Sequence, residues 1–183
     1  ASTGGPRSLE TVFAALPRNI GAPIIIVQHI PAEFSPSFAK RLDAAKGPRV
    51  VLATDGTVIE PGMAYLAPGG YHLKLERKNK VKVVARLDDG PPVQFVKPSA
   101  NVLFESAAAC YGKGLLGVVL TGMGSDGAQG ALAIRRAGGN VIAQDEASSV
   151  IFGMAKAVIE VKAADDVVPL DRLPQRIIDF IGG

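Results

Sequence analysis

The chain has 183 residues, 48% of them hydrophobic, with 20 basic and 17 acidic side chains for a net charge of +3. That length is enough for one domain with a sizeable core, and no apolar run approaches the roughly 20 residues of a membrane span. Aromatic residues make up only 5% with no Trp, and the basic ones are scattered, which argues against nucleic acid as a partner, while the single Cys110 excludes an internal disulfide and fits a reducing compartment.

The opening Ala1-Ser2-Thr3-Gly4-Gly5-Pro6 reads as a turn running into a helix over 8–16, with Ser2 at the helix N-terminus. The β-branched run APIIIVQHI (22–30) predicts a strand that ends at His29, just before Pro31. A helix at 34–45 and a strand at 49–54 (RVVLAT) follow. The segments MAYLAP, YHLKLER and KVKVVARL then succeed one another across Gly-Gly and Lys-Asn-Lys turns and predict an antiparallel hairpin excursion near 63–87. DDGPPVQFVKPSA reads as a loop whose prolines set up a helix over 99–111. Beyond it come a strand at 115–121 (LLGVVLT), a glycine loop, a helix at 127–137, a strand at 140–144 (NVIAQ) and a closing helix near 170–181. This alternation predicts an α/β fold: a doubly wound, mostly parallel sheet with helices on both faces, in one domain spanning 1–183. The first residues show no basic-then-apolar leader pattern, and a cytoplasmic protein with no direct membrane insertion is expected.

The glycine loop GMGSDG (122–127) spells the dinucleotide-binding pattern, and Asp145 lies at the distance of a ribose-binding acid. A nucleotide-binding α/β module is therefore one reading. Asp126 counts against it, because a carboxylate beside a pyrophosphate repels it. The same glycines would equally let a peptide N–H approach developing negative charge in an oxyanion hole.

Working residues of such folds gather at the carboxyl ends of strands. Ser2, His29 and Asp126 all fall there, and together they are the parts of an acyl-transfer triad. Each also has a plainer reading: Ser2 and Asp126 as helix caps, and His29 as a strand-end histidine bonded to backbone. The chain has only two histidines, and the other, His72, sits on the hairpin without comparable company. Cys110 closes a helix beside Leu103 and Ala107 and reads as a core thiol.

At these residues a family resemblance enters. ASTGGPRSL, IVQHIPAEFSPSFAKRLD, YLAPGGYHL, KPSANVLFESAA and the stretch from GVVLTGMGSDG to FGMAKAVIE resemble, in order and over essentially the whole chain, the catalytic domain of the chemotaxis protein-glutamate methylesterases. The resemblance implies a cytoplasmic serine hydrolase that demethylates glutamate methyl esters on the cytoplasmic helices of chemotaxis receptors, with deamidation of receptor glutamines as a second activity. It implies Ser2 as nucleophile, His29 as base through Nε2, Asp126 as acid, and the Thr3 and Met123 N–H groups as the oxyanion hole. It implies no metal and no organic cofactor. Asn101 stands where the family usually has Asp and Ala155 where it has Pro, positions expected not to touch the triad. The family also carries an apolar strand just ahead of ASTGG and, commonly, a receiver domain before that; both are expected in the full-length protein. A non-catalytic receptor-docking domain is the remaining alternative.

Overall fold

The computed structural model describes all 183 residues. Helix α1 (Gly5–Ala15) begins after Gly4, whose φ of 80° only glycine adopts without strain, and Pro6 supplies a preset φ in its first turn. Its Leu9, Val12 and Phe13 recur at helical spacing and enter the main core. Strand β1 (Ile24–Ile26) leads to α2 (Ser35–Asp43), then to β2 (Arg49–Leu52) and β3 (Met63–Leu66). Strands β4 (His72–Arg77) and β5 (Val83–Asp88) form the antiparallel hairpin, and α3 (Ala100–Tyr111) packs back upon it. The second half runs β6 (Leu116–Val119), α4 (Ala128–Arg136), β7 (Asn140–Gln144), α5 (Met154–Glu160), β8 (Asp166–Val168) and α6 (Leu173–Gly182).

The α/β architecture with parallel sheets and an antiparallel pair is as expected. The strands form two parallel three-stranded sheets, ordered β1-β3-β2 and β6-β7-β8, beside the two-stranded hairpin. Met63–Leu66, grouped with the hairpin by its sequence neighbourhood, is instead the middle strand of the first sheet, paired in parallel with β1 and β2. Its Ala64 and Leu66 are fully buried, so the strand gets its pairing and its packing from distant segments. Helix α5 and strand β8 are additional to the expected elements.

Ala1 and Ser2 lie between the two parallel sheets. The Ala1 nitrogen donates to the Val27 carbonyl at 3.0 Å, the Ala1 carbonyl accepts the His29 N–H at 3.0 Å, and the Ser2 N–H donates to the Thr121 carbonyl at 3.0 Å. Residues 1–2 thus continue a ladder between the end of β1 and the end of β6. Below them runs an apolar cavity of about 220 Å³, lined by residues that include Leu9, Phe13, Ile25, Leu103, Val118 and Ile181.

Helices α3 and α4 approach closely because Gly130 has no side chain. A Cβ there would lie 2.5 Å from Phe104 Cβ and 3.0 Å from Asn101 Cα, atoms that cannot swing aside. Alanine at a helix-interior glycine ordinarily gains up to about 1 kcal/mol. Here overpacking outweighs that gain, and Gly130→Ala should lower the unfolding free energy by roughly 1–3 kcal/mol in urea titration.

Candidate active site

The three sequence-predicted side chains come to one edge, at the carboxyl ends of β1 and β6. Ser2 is fixed through its backbone: its carbonyl accepts the Gly5 N–H at 2.8 Å and the Gln28 Nε2 at 2.9 Å, while its N–H is held by Thr121. Gly122 packs directly on it, since a Cβ there would lie 2.7 Å from Ser2 Cβ and 2.4 Å from Met154 Sδ. The glycine of the loop's first position is therefore demanded by close approach to the serine.

His29 Nε2 lies 2.8 Å from Asp126 Oδ2, with the two side chains 12% and 4% exposed. The ring is thus partly open to the edge while its partner is sealed. A carboxylate accepts, so Nε2 carries the hydrogen of this bond. Ser2 Oγ has no hydrogen-bond partner in the protein, and Nε2 faces the carboxylate rather than the serine. That differs from the expected Ser2–Nε2 pairing. The reason is positional: Asp126 arrives from the β6 side against the outer ring nitrogen. Nδ1 is the ring nitrogen that Asp126 leaves unengaged. Contacts between nucleophile and base commonly tighten only when substrate binds.

Asp126 is not the cap of the helix that follows it, which starts from Gly127 in a left-handed conformation. Its carboxylate instead receives the first turn of α3. Ser99 Oγ donates to Oδ1 at 2.6 Å, the Asn101 N–H to Oδ1 at 3.0 Å, and the Ala100 N–H to Oδ2 at 2.6 Å. These N–H groups have no intrahelical acceptor, and a carboxylate at the positive end of the helix dipole satisfies them. Asn101 was expected to stand clear of the triad, yet its backbone holds Asp126. Its side-chain oxygen accepts the Gly127 and Gly130 N–H groups at 2.9 and 2.8 Å. Those are the donors a phosphate would need at the start of α4, so the loop is already occupied and is not arranged for a nucleotide. Asp145, the other half of that reading, is turned into its own loop, where Oδ1 accepts from Ser148 N–H at 3.0 Å and from the Ser148 hydroxyl. Ala155, the other position set aside, is fully buried and makes no part of the site.

The Thr3 and Met123 N–H groups donate to no acceptor within the protein, and both residues are exposed at the edge. No set of three or more His, Cys, Asp or Glu side chains converges as metal ligands would. Cys110 is buried at the end of α3, and burial pushes its thiol pKa up, as expected of a core thiol. Gln28, Ser99 and Asn101 were not foreseen as site residues. The only sequence signal for them was the polarity of residues next to apolar runs.

A family model described as CheB methylesterase matches residues 1–177. The protein-glutamate methylesterase/protein-glutamine glutaminase of Pyrococcus abyssi is 47% identical over 178 residues, covering 97% of this chain and 48% of its own length. The protein of the same description from Thermotoga maritima is 42% identical over 181 residues, covering 99% of this chain and 52% of its own. The chain therefore spans about half the length of the curated relatives it matches. The crystal structure of the Thermotoga maritima CheB methylesterase catalytic domain matches with a TM-score of 0.94 at 43% identity, over 97% of this chain and 94% of that one.

Burial pushes the Asp126 carboxyl pKa up, but the bonds from His29, Ser99, Asn101 and Ala100 outweigh it and hold the group below the usual carboxylate value. The ionised form therefore favours the folded state above the unfolded pKa of about 3.9, and that contribution fades as pH falls through the folded value. Asp126→Asn should be less stable than the parent by roughly 1–3 kcal/mol at neutral pH, since an amide nitrogen faces donors. The gap should close in urea titrations run at progressively lower pH, below about 4.

Proposed function

The chain belongs to the CheB methylesterase family, and on that premise we propose that it hydrolyses methyl esters on glutamate side chains of chemotaxis-receptor helices, with Ser2, His29 and Asp126 as nucleophile, base and acid. The observation that carries the reading is the His29–Asp126 pair at 2.8 Å, its carboxylate buried and its ring partly open, on the edge where the Ala1–Ser2 backbone is bonded to both parallel sheets. His29 Nδ1 takes the Ser2 proton as the oxygen attacks the ester carbonyl carbon. The resulting oxyanion meets the unpaired Thr3 and Met123 N–H groups, and loss of one such donor ordinarily costs about 10²–10³ in rate. The imidazolium, steadied by Asp126, returns the proton to the departing methoxide, and methanol leaves. Water then attacks the acyl-enzyme by the same path and restores Ser2 and a glutamate carboxylate. A glutamine side chain entering the same route would lose ammonia, which gives the glutaminase activity. Every proton and electron pair in this sequence is carried by substrate, water and the three side chains, so no metal or organic cofactor is called for.

Exposed Tyr71, Phe95, Met123, Val150 and Ile151 lie on loops, and exposed Phe34 ends the short 3-10 turn Ala32–Phe34. Their loops follow strands or precede α3 near the carboxyl edge, and they suit the apolar face of a protein helix better than a free small ester. No helix of the structure is long and apolar enough to cross a membrane, and we place the activity in the cytoplasm, where the receptor helices lie, under control of a receiver domain in the whole protein.

Ser2→Ala should abolish methanol release from methylated receptor with folding intact; more than trace turnover would remove Ser2 as nucleophile. Asp126→Asn should bind a receptor fragment nearly as well as the parent. Its kcat should nevertheless fall steeply, by about 10⁴ as in another serine triad, because the amide donates where the carboxylate accepted.

We also propose that the apolar cavity between β1 and β6 takes an apolar strand running into Ala1 in the whole protein. The Ala1–Ser2 ladder already has the register of such a strand. A chain that carries an apolar segment of about six residues (one ordinary strand length) ahead of Ala1 should unfold at higher urea than residues 1–183 alone. Equal midpoints would mean the cavity is not a strand site.

A further inference from the structure

We propose that His72 is a positioning residue for the catalytic acid, acting through Ser99; the inference rests on the triad proposed above. His72 opens β4, at the hairpin, and is only 2% exposed. Its two ring nitrogens are both engaged. Nδ1 lies 3.1 Å from the Ser99 nitrogen, which must donate because a backbone N–H cannot accept. Nε2 lies 3.0 Å from the Pro91 carbonyl, which can only accept. The imidazole is therefore held as one neutral tautomer, with its lone pair on Nδ1 and its hydrogen on Nε2.

This sets the one residue that reaches Asp126 by side chain as well as by helix position. Ser99 precedes the first turn of α3, and its own side chain does not cap that helix. Its hydroxyl goes to Asp126 Oδ1 instead, at 2.6 Å. The Ser99 N–H would otherwise be an unpaired donor on a residue with no exposure. With His72 as acceptor, the Ser99 backbone is fixed on one side and the hydroxyl is aimed on the other. The continuous path runs Pro91 carbonyl, His72, Ser99, Asp126, His29, each link at 3.1 Å or less. His72 touches none of the reacting atoms. It sets the carboxylate's placement against the imidazole, and misplacements well under the size of an atom are costly in rate.

The side chain of Asn carries its oxygen about where His carries Nδ1, whereas Leu fills similar volume with no acceptor. In the full-length methylesterase, assayed by methanol release from methylated receptor, His72→Leu should lower kcat about tenfold or more with KM within about twofold, because receptor contacts are untouched. His72→Asn should recover most of that loss. Ser99→Ala should show the same kcat-only defect, and the His72→Leu/Ser99→Ala double variant should be no slower than the worse single one, since both act on the same carboxylate. Circular dichroism and urea titration establish that each variant is folded before it is assayed. A folded His72→Leu enzyme with parental kcat, an Asn variant no better than Leu, or additive losses in the double variant would each overturn the proposal. Ser2→Ala and Asp126→Asn run alongside separate the two ideas. If Asp126→Asn is fully active the triad itself is wrong, whereas an inert Asp126→Asn beside an unimpaired His72→Leu refutes only the role of His72.

Discussion

A carboxylate as deeply buried as Asp126 costs several kcal/mol to desolvate unless donors surround it; Ser99 and the first turn of α3 bring three of them, with the imidazole of His29 as the fourth. The exchange runs both ways. The helix start would be left with orphan N–H groups if the carboxylate were absent, and the carboxylate would not stay ionised without the helix. Asn101 extends the arrangement, because its N–H belongs to the set around Asp126 and its side-chain oxygen caps the start of α4. Two helix N-termini are thereby locked together through one side chain on either side of the glycine loop. The bare Gly130 lets them come close enough to do it. An aspartate at Asn101 would bring a second carboxylate to the same acceptor sites, next to an already buried one. An amide offers the acceptor oxygen without the added charge.

Much of this was legible in residue pattern. The β-branched runs ending at His29 and before Gly122, and the glycine punctuation around α1 and α4, mark elements whose physics is local. Met63–Leu66 was not legible as a central parallel strand, because what makes it one is pairing with β1 and β2 from tens of residues away. Strand β8 has three residues and α5 has seven, too short for periodicity to stand out. Of the site, the three reactive side chain types could be placed at strand ends from order alone. The nitrogen of His29 that meets Asp126 could not, since it depends on which side the carboxylate arrives from. Nor could the parts played by Ser99 and His72. Ser99 reaches Asp126 through its hydroxyl, and its N–H is held by a buried ring 27 residues away; nothing in local sequence distinguishes a histidine that accepts such a bond from one that merely fills a hairpin.

The proposed chemistry sits at a seam. His29 belongs to the side of β1, Asp126 and the Met123 N–H belong to the side of β6, and Ser2 lies between them. Across the edge, the two parallel sheets are joined by the Ala1–Ser2 backbone and by the His29–Asp126 pair. Beneath it they share one apolar cluster, in which Ile26 of β1 packs with Leu120 and Ile142 from the other side. If Ser2 and Asp126 act together as proposed, sliding of the two sheets would be costly, because a small shift would open the imidazole bond and the serine ladder together. The apolar side chains shared beneath the seam oppose that, since sliding would expose them to water. Ser2 adds a constraint of its own: its N–H is held by Thr121 across the seam and its carbonyl by Gln28 on the near side. The serine is therefore held by its peptide groups from both sides, which leaves the hydroxyl as the unbonded part of the residue. A side chain free of partners, on a backbone held at both peptide groups, suits the nucleophilic role proposed for Ser2.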